Sequence, residues 1–357
     1  MTEARAPRKP GKVRPARLTD LAALGELSRL CQTADSATRS LGLPVSGPPI
    51  GMFSLFRLPL GAFRPHDLMF VYEADGRLSG LIRVERESLR DEWTIVELDG
   101  IGSSDAGDIR FRLVQQLVRE SSKRGAMRLH VACADRDGNV ELFMQAGFAR
   151  YGEELILYRP PEPGLPKAWN EERARELGIR PAGPLDALDL MRLYGTATPQ
   201  PVQRLEAIRL PDWERQGGHW RVPRSSLAPI LRFADVEAFV QETSADGPAA
   251  RGSQLDAFVQ IGVAKEDQPH YLKVMARPGA DVSDLVDYAL GSIAARTGRG
   301  SDHHRDQGVI AAVRTYESPI DARLQDAGFD TIASVTLLMK ETLVRVAEPA
   351  LVPAGVR

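Results

Sequence analysis

The residues of this chain that can do chemistry stand in a few short stretches. The segment Gly100–Asp108, which contains Ser104-Asp105-Ala106-Gly107-Asp108 and runs on to Ile109, joins an alternating apolar run to a helical one. A glycine loop that opens a helix presents free backbone N–H groups and the positive end of the helix dipole, which suits a phosphate chain. Asp105 and Asp108 place negative charge there, which Arg110 and Arg112 offset if they turn inward. Asp108 also reads as the N-cap of the following helix. His130 points opposite to Leu129, Val131 and Cys133 on a strand, and reads either as a satisfied sheet histidine or as a residue facing a gap in the sheet. Tyr151 and Tyr158 read as packed strand tyrosines or as proton donors. Cys133 has no base adjacent in sequence to lower its pKa, so burial is expected. Asp302-His303-His304-Arg305-Asp306 carries metal-ligand residue types, yet adjacent histidines seldom converge on one ion and no third ligand set is in view. A polar loop and no metal are expected. Trp213 to Arg224 interleaves aromatic with basic residues, the pattern of a stacking strip or of a lid over a cleft.

Composition narrows what these groups act on. With 357 residues, two domains are expected. Lys+Arg of 46 against Asp+Glu of 48 leaves a net charge of -2, which provides no field for a polyanion, so nucleic acid is not an expected partner. No uncharged apolar run is long enough to cross a membrane, and the N-terminus has no signal-peptide core. A soluble, cytoplasmic protein with no membrane partner is expected, with Cys31 and Cys133 reduced and buried.

The elements that position these residues occur twice. Val13-Arg14-Pro15-Ala16 recurs as Ile179-Arg180-Pro181-Ala182, and Ala146-Gly147-Phe148 recurs as Ala327-Gly328-Phe329. Each pair keeps its order and its setting, which marks a duplication. The proline-rich segment 159–166 is the break between copies. In the first copy, Leu21, Leu24, Leu27 and Cys31 mark a helix, and Asp75-Gly76 joins two strands as a hairpin. Trp93–Asp99 is a third strand, and a helix with Ile109, Leu113, Val114, Leu117 and Val118 on one face follows. Strand 128–134, a short helix and strand 148–158 complete the copy. The second copy repeats the order with helix 185–194, strands near 236–242, 256–264 and 271–276, a helix through Leu285–Ile293, strand 308–314, helix 319–326 and strand 331–339. The expected division is a tail at 1–10, a domain at 11–160, a linker at 161–176, a second domain at 177–346 and a tail at 347–357.

This succession, with a glycine loop after the fourth strand and a helix ending in Gly-Phe before the last, resembles the GNAT superfamily of acyl-CoA-dependent N-acyltransferases, in its tandem form. The resemblance implies an α+β, three-layer fold of two GNAT-like mixed-sheet domains, the second degenerate. It implies that the fourth and fifth strands splay apart around the pantetheine arm of acetyl-CoA, used as acyl donor, and that the loop cradles the pyrophosphate. On that alignment Ser104, Gly107 and Ile109 stand at the phosphate loop, with Gly107 the residue that matches, while Arg110 and Arg112 follow it. Acylation of an amine needs a base and a donor for the tetrahedral oxyanion. The resemblance makes Glu97 the candidate base, with Asp99 as a second, and the Leu98 backbone the oxyanion donor; Leu98 and Asp99 also fall on the strand that would face the donor. Phe143 stands where many members carry a tyrosine acid, and Leu324 takes that place in the second copy. The corresponding loop of the second copy holds Arg277, Pro278 and Gly279. The expected activity is acyl transfer to a small-molecule or peptide amine. The alternative is an inactive GNAT-derived protein that binds CoA, another ligand or a partner.

Overall fold

The computed structural model describes residues 11–33, 67–87, 91–101, 106–136, 138–161, 169, 171–214, 224–242, 254–265, 268–297 and 307–342. The expected tails, the segment 41–66, Ser104, Asp105, the segment 162–168 and the segment 302–306 lie outside the described residues, as do the side chains of Leu21 and Cys31.

The first half runs β1 (Lys12–Pro15), α1 (Leu21–Thr33), β2 (Asp67–Ala74), β3 (Arg77–Glu87), β4 (Glu92–Gly100), α2 (Ala106–Lys123), β5 (Arg128–Ala134), α3 (Asn139–Gln145) and β6 (Ala149–Arg159). After a short helix α4 (Glu171–Glu176), the second half repeats it as β7 (Ile179–Pro181), α5 (Ala187–Ala197), β8 (Phe233–Glu242), β9 (Leu255–Ala264), β10 (His270–Ala276), α8 (Ser283–Thr297), β11 (Val309–Arg314), α9 (Ser318–Asp326) and β12 (Asp330–Glu341). The sequence did not announce α6 (Gln200–Glu206) and α7 (Leu210–Trp213), which lie between α5 and β8.

Local chemistry explains the repeated parts. Asp75 and Gly76 both take positive φ, 50° and 73°, as the two-residue turn of a twisted hairpin requires. At the start of each half an arginine fork is matched atom for atom. Arg14 donates to Glu73 at 2.6 Å and to both Asp20 oxygens at 2.7 and 2.8 Å, and Asp20 accepts the Arg17 N–H. Arg180 likewise donates to Glu242 at 2.7 Å and to both Asp186 oxygens at 2.9 and 2.7 Å, and Asp186 accepts the Gly183 N–H. Near the end of each half, Gly147 and Gly328 have φ of 83° and 86°, and Phe148 and Phe329 each donate a backbone bond to the residue five earlier.

The two halves form one 12-stranded mixed sheet, in the order β1-β2-β3-β4-β5-β12-β6-β11-β10-β9-β8-β7. β6 does not lie beside β5. Instead β12 pairs antiparallel with β5, β6 pairs antiparallel with β11, and β6 and β12 pair with each other at the centre. The last strand of each half therefore completes the sheet of the other. On one face α2 and α3 cover β2–β5 through Ile109, Leu113, Val114 and Leu117, and α8 with α9 cover β8–β11 through Leu285, Val286, Ala289, Ile293, Ile320 and Leu324. A Cβ on Gly80 of β3 would meet the Ile109 side chain at 2.5 Å, so glycine there lets α2 sit close to the sheet. On the other face lie α1, then the segment Leu227–Leu231 over the central strands, then α5 and α7. This is the three-layer architecture. Among the described residues no helix is long and apolar enough to cross a membrane.

Candidate functional site

In each half two parallel strands part company. β4 and β5 pair from Glu92↔Arg128 to Ile95↔Val131 and then separate, although β4 runs on to Gly100 and β5 to Ala134. The parting coincides with a register shift against β3 that leaves Val96 without a partner, the kind of bulge that re-aims a strand. β10 and β11 pair from His270↔Val309 to Leu272↔Ala311 and then separate in the same way. Strands that separate leave N–H and C=O groups that need partners.

The two gaps meet that need differently. Just past the last rung, the second half has Lys273 and Ala312. Lys273, fully buried, reaches across and donates to the Ala312 carbonyl at 3.0 Å, with the Glu317 carboxylate 3.4 Å away. Glu317 in turn accepts the Arg314 N–H at 2.9 Å. The gap is thus bridged by the protein's own side chains. At the N-terminus of α8 the Asp281 carboxylate accepts the Ser283 N–H at 3.0 Å and its hydroxyl at 2.7 Å, bonds that hold its pKa below the usual aspartate range. Arg277 is paired with Asp256. In the first half the matching positions are Val96 and Ala132, whose side chains cannot hydrogen bond.

On the face away from α2, the first gap opens to a cavity. Thr94, Val96, His130 and Ala132 form its floor, with Tyr151 of β6, Leu337 of β12 and Arg314 of β11 beside them. Arg224, Ser225, Ser226, Pro229 and Ile230 of the second half form its roof. His130 is edge-on to the Tyr151 ring, with centroids 6.3 Å apart, and its Nε2 is 3.6 Å from the Glu92 carboxylate. Glu92 also pairs with Arg128 at 3.3 Å and with Arg224. Burial pushes the Tyr151 hydroxyl pKa up and Arg314 only partly offsets it, so this phenol stays protonated through neutral pH. Beside the cavity, Arg314 pairs with Glu154 and Glu206, both at 2.7 Å, and Glu206 accepts the Tyr194 hydroxyl at 2.7 Å.

No protein-family model and no curated protein sequence matches this chain. Solved structures do. A tandem GNAT protein from the clavulanic acid biosynthesis pathway aligns over 93% of this chain and 98% of its own, with a TM-score of 0.53 at 12% identity. A GCN5-related N-acetyltransferase from Sphaerobacter thermophilus aligns over 94% of this chain and 97% of its own, with a TM-score of 0.50 at 14% identity. The chain has the tandem GNAT fold.

Within that GNAT frame the sequence-based candidates fall in different places. Glu97 lies just past Val96, pairs with Arg83 at 2.8 Å, and is not among the residues that line the cavity. Leu98 is buried under α2, and Asp99 is 2% exposed. Gly107 is exposed in the first turn of α2, and a Cβ there would meet nothing among the described residues within 4 Å. Ile109 packs on the sheet and holds α2 in place. Arg110 turns inward with Ala106 and Leu113, and donates to Asn139 at 2.6 Å. Asp108 is not the N-cap, because α2 already begins at Ala106; its carboxylate makes an exposed pair with Arg112 one turn on, at 2.7 Å. Phe143 is fully buried, edge-on to Phe148. Cys133 is buried and its thiol is pushed up to about 12, chiefly by burial, which removes it as a nucleophile. Trp213 is fully buried against Tyr194 and Phe258 and offers no stacking face, whereas Arg224 at the other end of that stretch reaches the cavity. No cluster of metal-ligating side chains occurs among the described residues.

Sequence reasoning missed Lys273, Arg314 and Glu92. One local sign of the first was available, a lysine in the middle of the otherwise apolar run Tyr271-Leu272-Lys273-Val274-Met275.

Proposed function

We propose that the chain is an acyl-CoA-dependent N-acyltransferase that works in its first half, moving an acetyl or other short acyl group to an amine carried by a small molecule or peptide. The observation that carries this reading is the contrast between the gaps. The β4–β5 gap is lined by Val96 and Ala132 and backs onto a cavity, whereas the β10–β11 gap is bridged by Lys273. A thioester arm laid between β4 and β5 would place its carbonyl near the Leu98 backbone, whose N–H is the proposed oxyanion donor, with Asp99 next along the strand. The pyrophosphate would lie at the start of α2, against the backbone of Ser104, Gly107 and Ile109. Glycine at position 107 costs a helix roughly 1 kcal/mol relative to alanine, and among the described residues no packing contact calls for it. Close approach of a ligand to the backbone is what such a glycine permits. In the second half Asp281 holds the equivalent helix end, so one acetyl-CoA per chain is expected.

Titration calorimetry with acetyl-CoA on the intact chain tests this. A stoichiometry of one, abolished in Gly107→Glu by steric block and charge repulsion, is the expected result. A stoichiometry of two, or undiminished binding in Gly107→Glu, would refute the assignment.

A further inference from the structure

We propose that His130 is the catalytic base of this transfer, positioned by Glu92 from its own half and by Arg224 from the other; the inference rests on the acyltransferase reading of the same cavity. His130 pairs with Thr94 one rung before β4 and β5 part, and its ring lies on the cavity face because its neighbours Leu129 and Val131 pack under α2. The imidazole therefore borders the cavity next to the point where the strands open, with both ring nitrogens buried. Glu97, the base expected from sequence, is held by Arg83. The charged groups around His130 are paired with one another. Glu92, 3.6 Å from Nε2, lies between Arg128, which also approaches Glu341, and Arg224, while Arg314 across the cavity is paired with Glu154 and Glu206. Tyr151, against the ring edge, is uncharged.

In the proposed step an ammonium group gives one proton to an imidazole nitrogen of His130. The nitrogen lone pair then attacks the thioester carbon, the C–N bond forms and the C–S bond breaks. The second proton on the nitrogen ends on the departing sulfur, giving CoA thiol and amide, and His130 returns its proton to solvent. Glu92 and Arg224 act as positioning residues, and the second half contributes a side chain to the active site of the first.

The test uses the full chain, acetyl-CoA and a panel of primary alkylamines, with CoA thiol release followed from pH 6 to 10. His130→Gln should lose about a hundredfold or more in turnover near neutral pH. The loss should shrink as pH nears about 10, where the probe amine deprotonates unaided. Glu92→Gln removes a negative charge from beside the ring, so the acid limb of its rate profile should move to lower pH. In the parent chain labelled at histidine, the NMR signals assigned by their disappearance in His130→Gln should report a neutral imidazole at pH 7.5. A loss equal at all pH values, a loss that follows Glu97→Gln and not His130→Gln, or an imidazolium at pH 7.5 would overturn the role of His130 alone. A parent chain that binds acetyl-CoA yet releases no thiol with any amine would overturn the transferase reading, and His130 with it.

Discussion

Replacing Arg314 with methionine should be among the most damaging single changes in this protein, and the damage should depend on pH in a way that packing loss would not. Arg314 is almost fully buried between Glu154, which is fully buried, and Glu206, which is 1% exposed. In the parent, burial pushes the Glu154 pKa up, but Arg314 and Lys273, together with the Ser226 N–H, outweigh it and hold it below the usual glutamate range. Methionine fills much of the arginine's volume but leaves two buried carboxylates short of a cation. Breaking one buried pair costs about 3–5 kcal/mol, and a domain's total stability is of order 5–15 kcal/mol, so a loss of at least 3–5 kcal/mol is expected at pH 7.5. The sign follows from linkage. In the parent, Glu154 contributes stability that is present above its unfolded pKa of about 4.3 and is lost as pH falls through the lower folded value. In Arg314→Met the folded pKa rises above the unfolded one, so the penalty is full at high pH and disappears as the buried carboxylate protonates. Urea denaturation of both chains at pH 7.5 and pH 5 measures the difference. The gap should narrow by more than 1.4 kcal/mol, a tenfold change in the folding constant. A gap of equal size at both pH values would show that shape, not charge, is what Arg314 supplies.

The matched arginine forks allow a paired comparison: Asp20→Asn and Asp186→Asn should each cost about 1–2 kcal/mol, after discounting for partial exposure. Arg14 holds the Asp20 pKa below its ordinary value, and Arg180 with the Gly183 N–H does the same for Asp186 against its burial, so both losses should fade below about pH 4. Thermal melts would expose any inequality, and a cost confined to one half would mean that the forks do not work alike. With its pKa pushed up to about 12, Cys133 should resist a thiol reagent at pH 8 in the native chain and react once urea unfolds it, as peptide mass mapping would show; native labelling would contradict the burial.

The parts of the fold that were legible in sequence are those set by neighbours along the chain. The Asp75-Gly76 hairpin, the stripe of Ile109, Leu113 and Leu117, and the Gly-Phe turns into the last strands all appear where their local patterns place them. The site is built from partners far apart in sequence, and there the reading thinned out. Glu92 meets Arg224, and Arg314 meets Glu154 and Glu206, across more than a hundred residues, and no spacing rule announces such pairs. Arg110 illustrates a one-residue limit. Its inward position follows from helical periodicity, which also places Ala106 and Leu113 inward, but nothing local names Asn139 as the partner it meets there. His130 and Tyr151 were both noticed, and only the placement of β6 beside β12 brings them to one cavity. That placement has no local signature, because β6 shows the same alternation whichever strand it joins.

The crossing of β6 and β12 gives the chain the internal geometry of a dimer whose two subunits lend each other an arm. A chain ending at the proline-rich linker would carry β6 with no β11 to receive it, and would leave β5 as an exposed edge awaiting a strand. Two identical half-length chains would satisfy each other at those edges through a two-fold axis between their last strands. Joining such a pair into one gene frees each half to change alone. One gap can then take Lys273 and close while the other stays open, an asymmetry that a symmetric dimer of one sequence has no means to reach.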